Sequence, residues 1–566
     1  MNLGYGVFAS SMLCLLASFL LLLWRWRRRT FAVFEGTGIR GPEPNLISGN
    51  FYQFWTKDMQ AVLESWASRY GDIFGFYNGD APMVAVKDLD LLRRVFVSDF
   101  KNFCDRGIVF RLVGENPAVR SALSVATGHR WKEVRRCVAQ AFTTSKLRPL
   151  VPGMEAAVDE FLHILREKAA DGQTEVDVCP LLDRVAFDMV ARTAFGVKLD
   201  VQRKPEEPLF QESKLLLRKS LSGIFNKLAQ FFSGVKGLLP ILMFLEDLFN
   251  TQAFSALAKL SEPIIQHRKQ NPTLARPDLM QHLLDAEITK QDDPDVVQQG
   301  DQSPDRRRTP PAEKGRMSIE DAASNAANML QAGFETVSLT LSFCFFRVAK
   351  HQEIQDNVRE EVISVLAKHG ALNYEAISEL QYTSQVLNET LRVHGPVTAF
   401  TSRMTNQDYK YQDVLLRRGF SVIACSHLVH KDPNLWPEPD KFDPERFSPE
   451  QSSSRDPLCF QGYGMGPRIC VGSKLAQLEM ALALVAAAAA YGRQIINSAF
   501  YRADWKLRAT LSWKPQETVS GSSCTNSNNP FPNVADRAFP NADCAPCLSC
   551  TQLKIAVVPF ETDPGE

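Results

Sequence analysis

The sequence has no excess charge of either sign, because 64 lysine and arginine residues balance 64 aspartate and glutamate residues. A protein that binds nucleic acid usually shows a basic excess, so this balance predicts no nucleic-acid partner. An evenly spaced cysteine framework is also missing, since the 12 cysteines are scattered until residue 524. This scatter is typical of a reduced, cytosol-facing main body rather than of a disulfide-stabilised secreted domain.

The N-terminal apolar run has no basic residue before it and no evident small-residue cleavage site after it. Residues 3–24 are almost wholly apolar, which is long enough to span a bilayer core, and Arg25, Arg27, Arg28 and Arg29 follow. Positive charge stays on the cytoplasmic side, so we predict a single-pass anchor, residues 1–29, with the rest of the chain in the cytosol. A cleaved signal peptide, the alternative, would carry its charge before the apolar run.

The periodicity of apolar residues predicts a mainly α fold with small β-sheets. The individual predictions are an amphipathic helix at Met59–Tyr70, strands at Ile73–Phe76 and Met83–Val86, a loop over 106–128, mostly helix over 154–270, a solvated linker over 290–316 and a helix at Leu475–Tyr491. Residues 224–250 are unusually apolar, and two interpretations stay open: a core segment, or a lid that dips into the bilayer and admits lipophilic substrate.

The run YGMGPRICVGSKLA, residues 463–476, holds Cys470 between Gly466 and Gly472, with Arg468 two residues before the cysteine. A thiolate at the start of a helix is stabilised by the free N–H groups there, and glycines let the backbone approach a flat partner closely. An arginine at this spacing can meet an anionic group on the same partner. These features suggest a haem with cysteine as its axial ligand, whereas the alternative for Cys470 is a buried, inert thiol.

A second motif, Trp131–Arg136, opens a predicted amphipathic helix. Trp131 and Arg135 are four residues apart and share one helix face. Their indole and guanidinium groups could hold a carboxylate between them. The alternative is a surface helix with a packed tryptophan.

A long helix is predicted from Ser318, which caps it, to about Lys350. Within it, the stretch Ala332–Thr336 places Glu335 beside Thr336 among small residues. A buried glutamate is costly unless it has a partner or a task, and a mid-helix threonine can hydrogen-bond a preceding carbonyl. The small residues of this stretch would leave room for a flat cofactor and a diatomic ligand. The alternative is a glycine packing notch with a solvated glutamate.

Glu389 and Arg392 are three residues apart on one predicted helix, and Arg446 follows in the run PDKFDPERF, residues 439–447. A glutamate held between two arginines would form a buried ionic staple that favours one conformation more than it adds stability. Most such pairs are exposed and contribute little, which is the alternative.

Together, and in the order in which they follow one another along residues 30–495, these motifs resemble those of the cytochrome P-450 family. The strings GIRGPEP, RSALSVATGHRWKEVRR and DPNLWPEPDKFDPERF are similar to those of its animal microsomal branch, which holds steroid- and drug-oxidising liver enzymes and thromboxane synthase. The resemblance implies a mainly α fold, in which a long central helix crosses a haem whose ligand comes from a cysteine loop.

The resemblance also implies a role for each matching residue. Cys470 would be the axial iron ligand, and Glu335 and Thr336 would deliver protons to iron-bound O₂. The haem would be held by Trp131, Arg135, Arg403 and Arg468, with Gly466, Gly472 and Tyr463 packing close to it. Glu389, Arg392 and Arg446 would stabilise the core beside the haem. The substrate pocket would be lined by Ser124, Ala332, Phe334 and Phe400.

The function implied is a monooxygenase that uses haem b to insert one atom of O₂ into a steroid, fatty acid or xenobiotic. Electrons would come from NADPH through a membrane reductase, with cytochrome b5 as a second candidate donor, and Lys132, Arg136 and Lys474 would steer the docking. The implied location is the endoplasmic reticulum membrane. The alternatives are a haem-thiolate isomerase of peroxides, which usually lacks the alcohol that Thr336 supplies, and an inactive haem or lipid binder.

Two departures from the family pattern are evident. Tyr463 stands where phenylalanine is usual, and the C-terminal region, 511–566, is interrupted. Its segments 511–518 and 551–560 resemble a closing strand hairpin after a catalytic domain at 30–510, but an insert at about 519–550 separates them. The insert's Cys544, Cys547 and Cys550 have a metal-site spacing, whereas the low-complexity composition around them and Cys524 favours an unstructured loop.

Overall fold

The structure is a computed structural model of the chain. It describes residues 2–107, 116, 120–170, 176–214, 223–235, 237–249, 253–271, 273, 275–289, 314–397, 401–491 and 554–555. Phe400 and the insert at about 519–550 therefore lie outside the described residues, as does the predicted strand at 511–518.

Helices dominate the described residues. We number the α-helices as follows: α1 Asn2–Phe31, α2 Gln53–Thr56, α3 Met59–Tyr70, α4 Leu89–Arg93, α5 Gly128–Ala141, α6 Thr144–Leu147, α7 Val151–Ala170, α8 Cys179–Phe195, α9 Ile224–Phe231, α10 Leu238–Leu248, α11 Ala253–Gln270, α12 Leu279–Asp285, α13 Ile319–Lys350, α14 Gln352–His369, α15 Tyr374–Glu379, α16 Gln381–Val393, α17 Ser426–His430, α18 Pro449–Ser453 and α19 Ser473–Tyr491. Residues 208–214 are also helical. The predicted mainly α class is confirmed.

The strands are short: β1 Ile73–Asn78, β2 Ala81–Val86, β3 Val176–Asp177, β4 Glu287–Thr289, β5 Lys314–Arg316, β6 Ser402–Met404, β7 Tyr409–Tyr411, β8 Val414–Leu416, β9 Ser421–Ala424 and β10 Lys554–Ile555. The largest sheet has the order β1-β2-β9-β6, in which β2 and β9 run parallel and the other two pairs run antiparallel. The register aligns Arg403 of β6 with Val422 of β9, so the sheet holds this arginine in the interior, where it is 1% exposed.

The central helix α13 has the end signals that its sequence predicts. The Ser318 hydroxyl accepts a hydrogen bond from the N–H of Asp321 at 3.0 Å, and acidic residues occupy the first turn. Arg347 and Lys350 occupy the last turn, so charges at both ends complement the helix dipole. At about 1.5 Å per residue, its 32 residues span roughly 48 Å, enough to cross the domain. It packs against α8 and α19 in the largest hydrophobic core.

The N-terminal helix α1 is long and apolar enough to cross a membrane by length and composition, and within its stretch Ser10–Phe31 only 6% of the apolar window is buried. The buried helix α13 passes the same test, but 67% of its window lies inside the protein, as in a core helix. The two helices therefore differ in their surroundings, and α1 is the candidate anchor. It continues without a break through its arginines to Phe31.

Several boundaries differ from the predicted ones. The strands β1 and β2 are each two residues longer, because they continue to a hairpin tip at Gly79, whose φ is +68°. The predicted linker over 290–316 is wrong at its C-terminal end, where β5 pairs antiparallel with β4, because backbone pairing needs no apolar side chains. In the C-terminal region, β10 pairs antiparallel with β3, and its predicted hairpin partner at 511–518 lies outside the described residues.

Candidate haem-binding site

The loop before α19 places the Cys470 side chain. The N–H of Cys470 donates to the carbonyl oxygen of Tyr463 at 2.9 Å, which closes the loop upon itself. Gly466 has a φ of +66°, and a Cβ atom there would lie 1.9 Å from the carbonyl oxygen of Phe96. Another residue at this position would therefore displace the loop. At Gly472 a Cβ atom would meet only the Phe142 ring, at an ordinary contact distance of 3.6 Å.

The Cys470 side chain has solvent-accessible surface, although protein atoms surround it on most sides. Burial raises the pKa of its thiol, while the N–H of Gly472 and the guanidinium groups of Arg135 and Arg106 act in the opposite direction. A side chain that is accessible but surrounded by protein borders an internal space, so the sulfur faces such a space rather than bulk water. Without a metal ion the thiol form is favoured there, so a thiolate at this position requires a cation as its partner.

A chain of contacts joins this side of the space to the central helix. The Arg106 Nε–H donates to the carbonyl oxygen of Ser124 at 3.0 Å, and the Ser124 hydroxyl donates to Asn328 Oδ1 at 2.5 Å. Asn328, Ala332 and Thr336 follow at four-residue intervals, so they share one face of α13. Ala332 is exposed and Thr336 is half-buried although α13 lies in the core, which indicates that this face borders the same internal space.

The acid–alcohol pair occupies two different faces of α13. The Thr336 hydroxyl donates to the carbonyl oxygen of Ala332 at 2.8 Å. Burial raises the pKa of Glu335 to about 8, with a further contribution from the Asp183 carboxylate, opposed by Lys214. Asp183 in turn accepts hydrogen bonds from the Ser338 hydroxyl and, at 2.8 Å, from Lys214 Nζ. Glu335 therefore lies between the internal space and a polar network shared with α8.

Gly333 and Phe334 face other helices. A Cβ atom at Gly333 would lie 2.9 Å from Val190 Cγ2 on α8, so this glycine is a packing notch between two helices. The Phe334 ring is 1% exposed and contacts Phe187 and Phe210 at centroid distances of 5.3 and 6.3 Å. Of the residues expected to line the substrate pocket, Ser124 contacts α13 at Asn328, one turn before Ala332, whereas Phe334 packs in the hydrophobic core.

Buried arginines surround the space on the Cys470 side. Arg468 is 7% exposed, its guanidinium lies 4.3 Å from the Trp131 ring centroid, and it donates to the carbonyl oxygens of Cys104 and Ala126 at 2.7 and 2.9 Å. Arg403 donates to the carbonyl oxygens of Ser402 and Met465. Burial, followed by repulsion among the arginines, lowers the pKa of Arg403 to about 8 and that of Arg106 to about 9.

Two of these cations, Arg403 and Arg468, each keep a buried nitrogen without a hydrogen-bond acceptor in the part of the chain that the structure describes. These nitrogens are Arg403 Nε and Arg468 Nη1. The carboxylate of Asp105 lies 3.9 Å from Arg468, beyond hydrogen-bond distance. A buried, incompletely paired cluster of cations is costly unless an anion completes it. The two propionates of a haem would supply that charge, so the residues present fit this group.

Arg106 is a site residue that the sequence motifs do not indicate. It belongs to the loop over 106–128, which has no apolar period, and no motif includes it. Asn325 and Asn328 offer a weak signal, since two amides three residues apart in an apolar helix need partners. Asn325 accepts from the N–H of Leu123 at 3.0 Å and donates to the carbonyl oxygen of Ser121 at 3.0 Å, which fastens the loop to α13.

The structure also brings together the three residues of the predicted ionic staple. Arg392 Nε and Nη2 donate to the two oxygens of Glu389 at 2.7 and 2.8 Å, and both side chains are fully buried. Arg446 Nε lies 3.6 Å from Glu389, whose second partner is the N–H of Asp443 at 2.9 Å. Arg392 also donates to the carbonyl oxygen of His430 at 2.7 Å. The staple thus joins α16 to the segment that leads to the cysteine loop.

Comparisons with known proteins show which family the chain is similar to. Residues 39–487 match the sequence model of the family described as Cytochrome P450. The chain is 31% identical over 480 residues to cytochrome P450 3A7 of Homo sapiens, covering 83% of this chain and 88% of the relative. It is 29% identical over 479 residues to cytochrome P450 3A29 of Sus scrofa, covering 84% and 90%. Identity to cytochrome P450 3A16 of Mus musculus is 30% over 493 residues, covering 86% and 91%.

Proposed function

The chain belongs to the cytochrome P450 family of haem-thiolate monooxygenases, and from that premise we propose that its substrate is a lipophilic small molecule. We further propose that its electrons originate from NADPH and arrive through a membrane reductase, with α1 anchored in the endoplasmic reticulum membrane and the catalytic domain in the cytosol. The observation that supports a redox haem site best is the buried Cys470 facing an internal space lined by incompletely paired arginines.

We propose a role for each side of the space. Cys470 would ligate the iron, and Arg106, Arg403 and Arg468 would bind the propionates, with the Trp131 ring packed against Arg468. When bound, the haem supplies one-electron chemistry and activation of O₂, which amino-acid side chains cannot provide. The protein's contributions are to bind and orient the group, to exclude bulk water and to hold protons nearby.

Proton supply is the role that we propose for Thr336 and Glu335. Because the pKa of Glu335 is raised to about 8, its carboxyl group holds a proton at neutral pH that it can release to a neighbour. The Thr336 hydroxyl borders the space and can accept a proton while donating its own. The Asp183–Lys214 pair behind Glu335 offers a polar route toward the surface, since Lys214 is partly exposed.

A reductase would approach the opposite side of the site. Lys132 and Arg136 on α5 and Lys474 on α19 are exposed, and α5 and α19 also carry or follow the haem-binding residues. Exposed cations on one surface accelerate association with an acidic partner and make it sensitive to salt.

The test is turnover by the purified full chain with NADPH-dependent reductase, ¹⁸O₂ and a panel of steroids and fatty acids. We expect NADPH consumption together with one ¹⁸O atom in the product. For Thr336→Ala we expect product formed per NADPH to fall several-fold, whereas Thr340→Ala should leave this ratio unchanged. Thr340 is a matched control, because its hydroxyl also donates to a carbonyl oxygen of α13, at 2.7 Å.

Two results would contradict the proposal. Rearrangement of a peroxide without NADPH consumption would instead indicate a haem-thiolate isomerase. Haem binding without turnover of any substrate under reducing conditions would indicate a haem or lipid binder.

A further inference from the structure

The tip of the β1–β2 hairpin holds a buried carboxylate between two other elements. Asp80 is 5% exposed, and it accepts hydrogen bonds from the Ser233 hydroxyl and, at 2.9 Å, from the N–H of Gly234. The Asp80 N–H donates to the carbonyl oxygen of Gln230 at 3.3 Å. Gln230–Gly234 leads out of α9, so one side chain at the tip joins the sheet to this helix.

The third element at this point is the C-terminal end of α1. Arg27 is 1% exposed, and its Nη1 atom lies 4.0 Å from Asp80. Its guanidinium lies 4.9 Å from the ring centroids of both Trp26 and Phe232, and it donates to the carbonyl oxygen of Ile47. An arginine that follows an apolar span is expected at the lipid headgroups, whereas this one is enclosed by protein.

The β1–β2 hairpin, the end of α9 and the end of α1 pack closely at this junction. A Cβ atom at Gly79 would lie 2.2 Å from the carbonyl oxygen of Gln230, and one at Gly234 would lie 3.1 Å from Trp26 Cζ2. The Trp26 and Phe232 rings stack with a centroid distance of 6.4 Å and an interplanar angle of 18°. The charges are therefore sealed from water, and neutralising Asp80 would leave Arg27 buried without its carboxylate partner.

Helices α9 and α10, which we call the lid, have a small apolar cluster of their own, formed by Ala229 and Leu242 with their neighbours. Their outer surface carries large exposed apolar side chains, namely Ile224, Ile241, Phe244 and Leu248. A unit that packs mainly on itself opens more easily than the core, so the contacts at its edge control its position.

We propose that Asp80 is a positioning residue for substrate access, because it fastens the lid to the membrane-proximal end of α1 through Arg27. Lipophilic substrate would reach the haem space when this junction opens. The proposal rests on the proposed function for the identity of the substrate, but the junction itself is a property of the protein alone.

The test is hydrogen–deuterium exchange of the full chain in phosphatidylcholine vesicles, comparing Asp80→Asn with the unsubstituted protein. Asparagine keeps the shape and an acceptor for Ser233, but it removes both the charge that faces Arg27 and the Oδ2 acceptor of the Gly234 N–H. We expect at least a threefold increase in amide exchange over residues 228–249, with exchange of α13 unchanged. Glu64→Gln is the matched control, because it neutralises a half-exposed carboxylate paired with Lys431 at 3.0 Å, away from the lid.

Arg27→Gln tests the same coupling from the anchor side. If the two charges act as a pair, Arg27→Gln and the double variant should each increase lid exchange no further than Asp80→Asn does. Unchanged lid exchange in Asp80→Asn, additive effects in the double variant, or an equal increase throughout the chain would overturn the proposal.

A second measurement separates the junction from the proposed function. The azole econazole binds haem iron, so stopped-flow absorbance should show it associating with and leaving Asp80→Asn at least threefold faster, with a smaller change in Kd. Unchanged rates beside increased lid exchange would overturn the role in access. If econazole gave no haem response even in the unsubstituted protein, the proposed function would fail, whereas the exchange data would still decide the junction.

Discussion

At the scale of single residues, the buried arginines show most directly what the site is built to bind. Burial lowers the pKa values of Arg403, Arg106 and Arg468 to about 8, 9 and 10, and repulsion by Arg468 contributes at Arg403 and Arg106. A folded protein keeps such groups together only where an anion completes the cluster. The arginines therefore identify an anionic ligand independently of Cys470.

Replacing Arg403 by glutamine should weaken haem retention because one propionate partner is lost. We expect haem content after gel filtration to fall several-fold, and the rate of haem transfer to apomyoglobin to rise. Arg455→Gln is the control, since Arg455 stacks 4.0 Å from the Trp436 ring centroid, outside the arginine cluster. Equal haem loss in both variants would show that the effect is structural rather than specific.

Glu479 predicts a pH dependence of stability. It is 1% exposed on α19, its Oε1 atom has no hydrogen-bond partner in the described ranges, and burial raises its pKa from 4.5 to about 8. The folded chain thus keeps a proton that the unfolded chain releases between these pH values. The contribution of Glu479 to the free energy of unfolding is therefore fully present below pH 4.5 and is lost as the pH rises toward 8.

Glu479→Gln should remove this loss, because an amide has no proton to release. Urea titrations between pH 5 and 9 should show the variant gaining stability relative to the unsubstituted chain as the pH rises, by on the order of a few kcal/mol. The exposed Glu360→Gln should show no such trend. If the difference in the free energy of unfolding between Glu479→Gln and the unsubstituted chain stayed constant across this pH range, Glu479 would be ionised in the folded protein.

At the scale of elements, α13 combines three functions on three faces. One face presents Ala332 and Thr336 to the internal space, the second meets the polar network of Asp183, and the third packs Gly333 against Val190. The sequence allowed both a cofactor notch and a packing notch for this stretch. The structure shows the packing notch at Gly333, and it places Ala332 and Thr336 on a different face, because adjacent residues of a helix point about 100° apart.

The face of α13 that carries Gly333 predicts an energetic coupling between Gly333 and Val190 of α8. Gly333→Val should destabilise the protein by about 1–3 kcal/mol, because its side chain would overlap Val190. Val190→Ala should partly restore the stability of Gly333→Val while destabilising the unsubstituted chain. Denaturant unfolding of all four proteins gives the coupling. Strictly additive effects would contradict the contact between α13 and α8.

At the scale of the whole molecule, the sequence predicted those features that depend only on residues close together in the chain. The caps of α13, the bounds of α3 and the pairing of Glu389 with Arg392 follow from residues three or four apart. The burial of Arg27, the approach of Arg106 to Cys470 and the packing of Phe334 could not be predicted, because each depends on elements far away in the chain. Arg27 in particular has the sequence context of a headgroup residue, and its burial depends on Asp80 of the β1–β2 hairpin and on Phe232 after α9.

For the whole molecule, the central claim is that the Cys470 thiolate ligates a haem in the internal space beside α13. Its most direct test is the difference spectrum of the reduced, carbon-monoxide-bound full chain. We expect the long-wavelength Soret band of thiolate-ligated haem, lost in Cys470→Ala but kept in Cys459→Ala, which removes a buried thiol elsewhere. An unchanged band in Cys470→Ala would contradict the claim.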